Sequence, residues 1–168
     1  MIMLLRHLLA IAVLPFTVTV LVPVWIARRN GISPTSPESA ADYLILVVAA
    51  LLFLIGATLF VTSLKRFATE GKGTLAPWDP PRYLVLRGPY RYVRNPMISG
   101  VNFVLCAEAL FLRSWPHAVW AALFILANVA WIPWYEEPHL EKLFGEEYRE
   151  YKRHVRRFLP RATPWESR

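Results

Sequence analysis

The apolar positions of this chain fall into four long runs, residues 8–26, 43–64, 97–112 and 116–135, parted by stretches rich in proline, glycine and charge. At about 1.5 Å of rise per residue the first run is long enough for a hydrocarbon layer roughly 30 Å thick, and the other three read the same way. Pro15 and Pro23 would kink the first helix, a break tolerated where neighbouring helices cover the freed carbonyls. Residues 30–38, with Gly31, Pro34 and Pro37, read as a loop. In the second run Gly56-Ala57-Thr58 sits among large aliphatics, and small residues at that level allow close helix packing. Arg113-Ser114-Trp115-Pro116 makes a tight turn between the third and fourth runs, which are therefore antiparallel. The fourth run ends at Glu136-Glu137-Pro138, where two carboxylates and a proline that disfavours helix in the residue before it predict a break. Beyond it Leu140, Leu143, Phe144, Tyr148, Tyr151, Val155 and Phe158 recur at steps of three and four, which predicts an amphipathic helix with one apolar stripe. Its charges run acidic first and basic last, as the helix dipole prefers. The expected architecture is an all-α integral membrane protein in a single domain, with four transmembrane helices and an amphipathic C-terminal helix.

Composition agrees with that pattern. Of the 168 residues 55% are hydrophobic and seven are tryptophan, which excludes an ordinary soluble domain. The net charge of +7 points, on a membrane protein, to a cytoplasmic face against anionic lipid rather than to nucleic acid. Fifteen of the 19 Lys and Arg lie in residues 65–96 and 136–168, so the loop 65–96, the C-terminal segment 138–168 and both termini are expected in the cytoplasm, with Arg28-Arg29 a mild exception on the outer side. Pro23-Val24-Trp25-Ile26 followed by Arg28-Arg29 offers no small-residue cleavage site, so the first run reads as a retained span and not a signal peptide. Cys106 stands alone and forms no intrachain disulfide. His7, His117, His139 and His154 are scattered, and no cluster has metal-ligand spacing.

Polar chemistry concentrates in residues 87–100. Arg87, Arg91 and Arg94 lie within eight residues, and guanidinium forks bind carboxylate or phosphate bidentately. Gly88-Pro89 reads as a turn, and Asn95 before Pro96 reads as an N-cap before the first helical position. The plainer meaning of the arginines is a positive-inside flank of a membrane helix. A loop of thirty residues is long enough to be functional, and Trp78, Tyr83, Tyr90 and Tyr92 within it argue against disorder. Glu108, in the third run, is five residues from Arg113, near the far interface, where an acid can pair or meet water. If the topology holds, the arginines before the third span and Glu136-Glu137 after the fourth emerge on one side, so a basic wall faces an acidic one at the membrane surface.

A ligand that uses both walls and aromatic residues is S-adenosylmethionine, with a carboxylate for arginine, an ammonium and ribose hydroxyls for glutamate, and an adenine for tyrosine and tryptophan. The run Gly73-Thr74-Leu75-Ala76-Pro77-Trp78, then Leu84-Val85, then residues 88–97, followed by Glu136-Glu137, Leu140, Phe144-Gly145, Tyr148, Tyr151, Val155 and Phe158-Leu159-Pro160, resembles the membrane methyltransferase superfamily of isoprenylcysteine carboxyl methyltransferases and phospholipid (phosphatidylethanolamine) N-methyltransferases. The resemblance covers residues 65–160. It implies a multi-span helical enzyme with S-adenosylmethionine under a cytoplasmic C-terminal cap and a lipophilic acceptor entering from the bilayer. It also implies Arg94, Asn95 and Glu137 as catalytic residues, and Tyr90, Arg91, Arg94, Asn95, Pro96, Met97, Gly100, Glu136 and Glu137 as cofactor-binding residues. Asn95 stands where the superfamily frequently has histidine and Ile98 where it frequently has tyrosine, so an amide replaces one ring contact and packing alone replaces the other.

Methyl transfer of this kind is an in-line displacement that needs alignment and exclusion of water, with no metal and no covalent enzyme intermediate. Carboxyl O-methylation of a lipophilic acid is the favoured reading, ahead of phospholipid N-methylation or methylation of a small thiol or amine. The reaction centre is expected at the cytoplasmic interface, beside Asn95, Met97 and Trp134. A non-enzymatic four-span protein or a small transporter ranks lower, because a transporter places polar groups near mid-membrane and three of the four runs have no charge there.

Overall fold

The computed structural model describes residues 12–72 and 81–166, and every regular element among them is helical. Helix α1 begins as a π-wound segment, Ala12–Leu21, and runs on as α-helix Val22–Asn30. The other helices are α2 (Ala40–Arg66), α3 (Pro96–Phe111), α4 (Trp115–Trp131) and α5 (Glu137–His154). The motif Gly73-Thr74-Leu75-Ala76-Pro77-Trp78 lies outside the described residues, as does the start of the first apolar run.

Pro15 does not break α1. A proline lacks the N–H of the helical ladder, and the wider π winding around it absorbs the misfit. Val18 lies five residues before Pro23, which has no N–H to give it, and the Val18 carbonyl instead accepts from Trp120 Nε1 at 3.0 Å. One turn on, the Pro23 carbonyl lies 3.1 Å from His117 Nε2, while His117 Nδ1 is 2.7 Å from Ser114 Oγ. The buried His117 is thus a clasp between α1 and α4.

Helix α2 starts at a capping box, in which Asp42 N donates to Ser39 Oγ at 3.2 Å and Ser39 N donates to Asp42 Oδ2 at 2.9 Å. It does not end at Leu64 as its hydropathy predicts. Lys65 and Arg66 suit a helix C-terminus, Arg66 pairs with Glu70 one turn on, and the winding continues as a π turn through Phe67–Gly71. The expected loop is shortened accordingly, and Gly88–Arg91 within it forms a 3₁₀ turn with Gly88 at φ +61°.

Helices α2 and α3 are antiparallel, since Gly56 meets Gly100 and Asp42 pairs with Arg113 at 2.9 Å. A methyl group on either glycine would stand 2.7 Å from the other's carbonyl oxygen, so both positions require glycine at this distance. Arg113 goes to Asp42 and leaves Glu108 to itself: Glu108 Oε2 is buried with no hydrogen-bond partner among the described residues. Val101, Leu105 and Ala121 form the core of the bundle, against Val18, Phe60, Trp120 and Phe124.

Sequence pattern and structure part most clearly at Glu136-Glu137-Pro138. No break occurs there. The chain passes through a π turn, Ile132–Glu136, straight into α5, and Pro138 falls at the second position of the new helix, where its missing N–H costs little. The interruption comes instead at Gly145, whose φ of 57° and ψ of −127° only glycine adopts readily. Helix α5 ends at His154, short of the expected Phe158, and the tail folds back over the 3₁₀ turn. Arg94 N donates to Arg156 O at 2.9 Å, Asn95 N to Arg157 O at 3.2 Å, Arg161 N to Tyr92 O at 2.9 Å and Trp165 N to Arg91 O at 3.0 Å. A second core, of Tyr148, Tyr151, Val155 and Trp165 against Leu84, Leu86, Leu140 and Phe144, joins α5, the tail and the loop.

Two segments, Ala40–Gly71 and Trp115–His154, are long and apolar enough to cross a membrane, and Pro96–Phe111 is a shorter apolar helix. Leu44, Leu51, Leu54 and Val61 on α2 are exposed, the side-chain chemistry of a lipid-facing surface.

Candidate active site

A cavity of about 400 Å³ lies where the helical bundle meets the α5 cap, within the size range of small-molecule sites. Its deep end is apolar, lined by Leu14, Val18, Phe60, Val101 and Phe124. Its cap end carries Tyr90, Arg94, Asn95, Glu136, His139, Tyr148 and Tyr151. Of the residues expected to hold a ligand, Tyr90, Arg94, Asn95, Pro96, Met97 and Glu136 line this space together.

The other three are placed elsewhere. Arg91 turns to the tail, donating from Nε to Trp165 O at 2.9 Å and pairing with Glu166 at 2.5 Å. Gly100 is spent on the crossing with Gly56. Glu137 does not line the cavity; it is the centre of an ion cluster, 2.7 Å from Arg157 Nε, 3.2 Å from Arg94 Nη2 and 3.3 Å from Lys152 Nζ. Three segments, the 3₁₀ turn region, α5 and the tail, converge on that one carboxylate. Burial pushes the Glu137 pKa up, but the Arg157 hydrogen bond and the charges of Arg94 and Arg157 outweigh it and hold the carboxyl below its ordinary value.

Asn95 occupies the N-cap position of α3 without capping it through its side chain. Its Nδ2 donates to Arg157 O at 3.4 Å and its own carbonyl accepts from Ser99, so the amide fastens the tail to the start of the helix. Pro96 takes the first helical position as the pattern requires.

The electrostatics leave two groups of opposite sign unsatisfied at the lining of this cavity. The Arg94 side chain is 8% exposed, and while Nη2 meets Glu137, Nε and Nη1 are buried with no hydrogen-bond partner among the described residues. Guanidinium donors without acceptors in such a place are costly unless a ligand oxygen meets them, and Glu137 and the neighbouring Tyr148 offset only part of that cost. Glu136 makes no ion pair among the described residues, and burial first, then the neighbouring charge of Glu137, raises its pKa. Burial, with the Glu136 charge, also raises the pKa of Tyr90, so its phenol stays protonated as a donor. Tyr151 is fixed by the bond from its hydroxyl to Tyr90 O at 2.7 Å.

Sequence reasoning missed His139, Asn128, Trp131 and Tyr135 as cavity residues, and it chose Trp134 instead. Trp134 is 91% exposed and points away from the cavity. The unbroken helix explains both: Trp131, Tyr135 and His139 follow one another at steps of four, and their rings stack at centroid distances of 4.4 and 6.4 Å along the cavity wall. That spacing was legible, but an assumed break at residues 136–138 cut the series in two.

The set of donors and acceptors fits S-adenosylmethionine on an observation internal to the chain, the unmet Arg94 donors and the unpaired Glu136 lining one cavity. Comparison with known proteins points the same way. The sequence matches the phospholipid methyltransferase family over residues 44–147, more than half of the chain. Neither the curated proteins nor the solved structures contain a match. The matched segment holds most of α2, all of α3 and α4 and the first half of α5, and most of the residues that line the cavity. The chain belongs to the phospholipid methyltransferase family, in the membrane methyltransferase superfamily that also contains the isoprenylcysteine carboxyl methyltransferases.

Proposed function

We propose that the protein transfers a methyl group from S-adenosylmethionine to a lipophilic acceptor at the cytoplasmic face of a membrane that its helices cross four times. The observation that carries this reading is the pair of unmet donors on Arg94 at the polar end of a cavity whose other end is apolar. Arg94 Nε and Nη1 would receive the carboxylate of the cofactor, and Glu136 its ammonium. S-adenosylmethionine, when bound, supplies an electrophilic sulfonium methyl for displacement by the acceptor. Glu137 acts through Arg94, whose guanidinium it orients, and is a positioning residue in this reading. Tyr148 and Tyr151, on the far side of the Gly145 bend, close the cavity against water. The apolar depth between α1, α2 and α4 would take the chain of the acceptor, so that its head group alone reaches Glu136 and His139.

Carboxyl O-methylation draws on a cation or hydrogen-bond donor beside the acceptor, and a ring N–H of His139 on the cavity wall is in place to donate. Phospholipid N-methylation is the second reading; in it Glu136 faces the acceptor rather than the cofactor ammonium, because an amine must lose a proton before it attacks and an unpaired carboxylate can take one. Purified protein in nanodiscs, given radiolabelled S-adenosylmethionine and either a long-chain fatty or prenyl acid or an aminophospholipid, is expected to label one of the two. Within the labelled class, apparent affinity is expected to rise with chain length, by about 0.8 kcal/mol per buried CH₂. A short water-soluble acceptor turned over as efficiently as its long-chain analogue would remove the bilayer-entry part of the proposal, and no transfer to any acceptor would remove the whole.

The positive-inside count supports a cytoplasmic position for both termini, the 65–96 segment and the tail. In a Cys106→Ala background, cysteines at Lys72 and Lys142 are expected to resist an impermeant thiol reagent applied outside cells, and one at Ser36 to react. Labelling at Lys72 from outside is incompatible with a shared cytoplasmic site.

A further inference from the structure

The cap carries a second concavity, separate from the cofactor cavity. His154, Arg156, Pro160, Arg161, Ala162 and Thr163 enclose a polar hollow of about 370 Å³ where the tail leaves α5. A helix C-terminus is the negative end of the macrodipole, because its last carbonyls have no intrahelical partner. Here those carbonyls are taken up. Tyr151 O accepts from Val155 N at 2.9 Å, Glu150 O from His154 Nδ1 at 2.9 Å and His154 O from Arg161 Nη1 at 2.5 Å.

What is left around the hollow is cationic. Arg161 is held by three of its own donors, the third being Nε on Thr163 O at 3.2 Å and the second its backbone N–H on Tyr92 O, so it lines the hollow as a fixed side chain. His154 is oriented by its Nδ1 bond and by stacking on Trp165 at 5.7 Å. The Arg156 guanidinium makes no hydrogen bond and no ion pair among the described residues, although carboxylates are plentiful on the preceding helix α5 and pair with Arg149, Lys152 and Arg153. No carboxylate lines the hollow. A merely solvated basic face would have no reason to fix one arginine by several bonds beside a free one.

We propose that this hollow binds a phosphate-bearing anion, which Arg156 receives with its free fork and Arg161 with the donors left at its Nη end, with the Thr163 hydroxyl as a further donor. Two sources supply that chemistry, the head group of an anionic lipid and free phosphate. The flank speaks for the head group. Leu159, 64% exposed, and the exposed Pro160 stand beside the hollow, and the bonds from Arg94 N and Asn95 N to Arg156 O and Arg157 O fix the tail at the level where α3 begins. Arg156, whose guanidinium lines the hollow, is the residue whose carbonyl accepts from Arg94 N.

The test is calorimetric titration of the full-length protein in neutral detergent with inorganic phosphate and, separately, with dihexanoyl phosphatidic acid, a water-soluble lipid. Both are expected to bind, and Arg156→Gln is expected to weaken both by about tenfold or more, the effect of losing one charge-assisted contact, without moving the thermal midpoint. Arg156→Lys is expected to recover part of the loss, since it keeps the charge and loses the fork. Tighter binding of the lipid than of phosphate assigns the site to a head group, and equal binding assigns it to free phosphate. No heat from either probe, or equal affinity in wild type and Arg156→Gln, overturns the proposal.

Discussion

Replacing Glu137 by alanine is expected to destabilise the cap by about 3–5 kcal/mol, the usual effect of removing one partner from a buried charge cluster. Three cations, Arg94, Lys152 and Arg157, share this carboxylate, which is 3% exposed. Without it they repel one another, and Arg94, itself buried, is left with no anion at all. Glu137→Gln keeps the shape and removes the charge, so it separates electrostatics from packing. The folded-state pKa of Glu137 is lowered, so the stability it contributes is complete above the ordinary carboxylate range and is lost as pH falls through that lowered value. Thermal melts from neutral to acid pH are therefore expected to show a loss in wild type that Glu137→Gln lacks. An unchanged midpoint in Glu137→Ala would show that the cluster does not hold the cap.

Arg94→Ala is expected to act on binding instead. Glu137 keeps Arg157 and Lys152 when Arg94 is removed, so the cluster survives and the cap with it. The loss falls on whatever Nε and Nη1 would have met. For truncation of one partner of a buried charge pair the expected weakening is about 2–5 kcal/mol, read by calorimetric titration with S-adenosylhomocysteine. Arg91→Ala serves as the contrast, because that arginine is committed to Trp165 and Glu166 and its loss is expected to leave affinity nearly unchanged. Equal affinity in Arg94→Ala and wild type would remove the carboxylate site from the cavity.

Much of the architecture could be read from hydropathy alone, because apolar runs bounded by charge report burial in lipid or protein directly. The tight turn at Ser114, the close approach at Gly56 and the 3₁₀ turn after Gly88 were legible for the same local reasons. What misled was the reading of Pro138 as a stop. Pro15, Pro133 and Pro138 all sit in or beside π-wound turns, and a wider helix accommodates a missing N–H that an α-helix would not. Periodicity also could not tell which of two adjacent glutamates faces a cavity. Glu136 and Glu137 are about 100° apart on a helix, and only the positions of Arg94, Lys152 and Arg157 decide that the second is enclosed and the first remains free. Arg91 and Arg94 differ in the same way, one drawn to the tail and the other to Glu137, and the tail carries no pattern from which its return could be foreseen.

The passage from α4 to α5 without a loop has a consequence for phase. Every residue from Trp115 to Gly145 shares one helical count, so deleting a single residue from Ile132–Glu136 would turn all that follows by about 100° and draw it back by about 1.5 Å. His139 would part from the stack that begins at Trp131, and Leu140 would swing off the cavity wall. A change of length in the loop between α1 and α2 moves nothing in this way, because a loop absorbs an extra residue locally. The cap is thus indexed to the membrane helix as a key is to its shaft, and its orientation is a matter of residue number as much as of contacts.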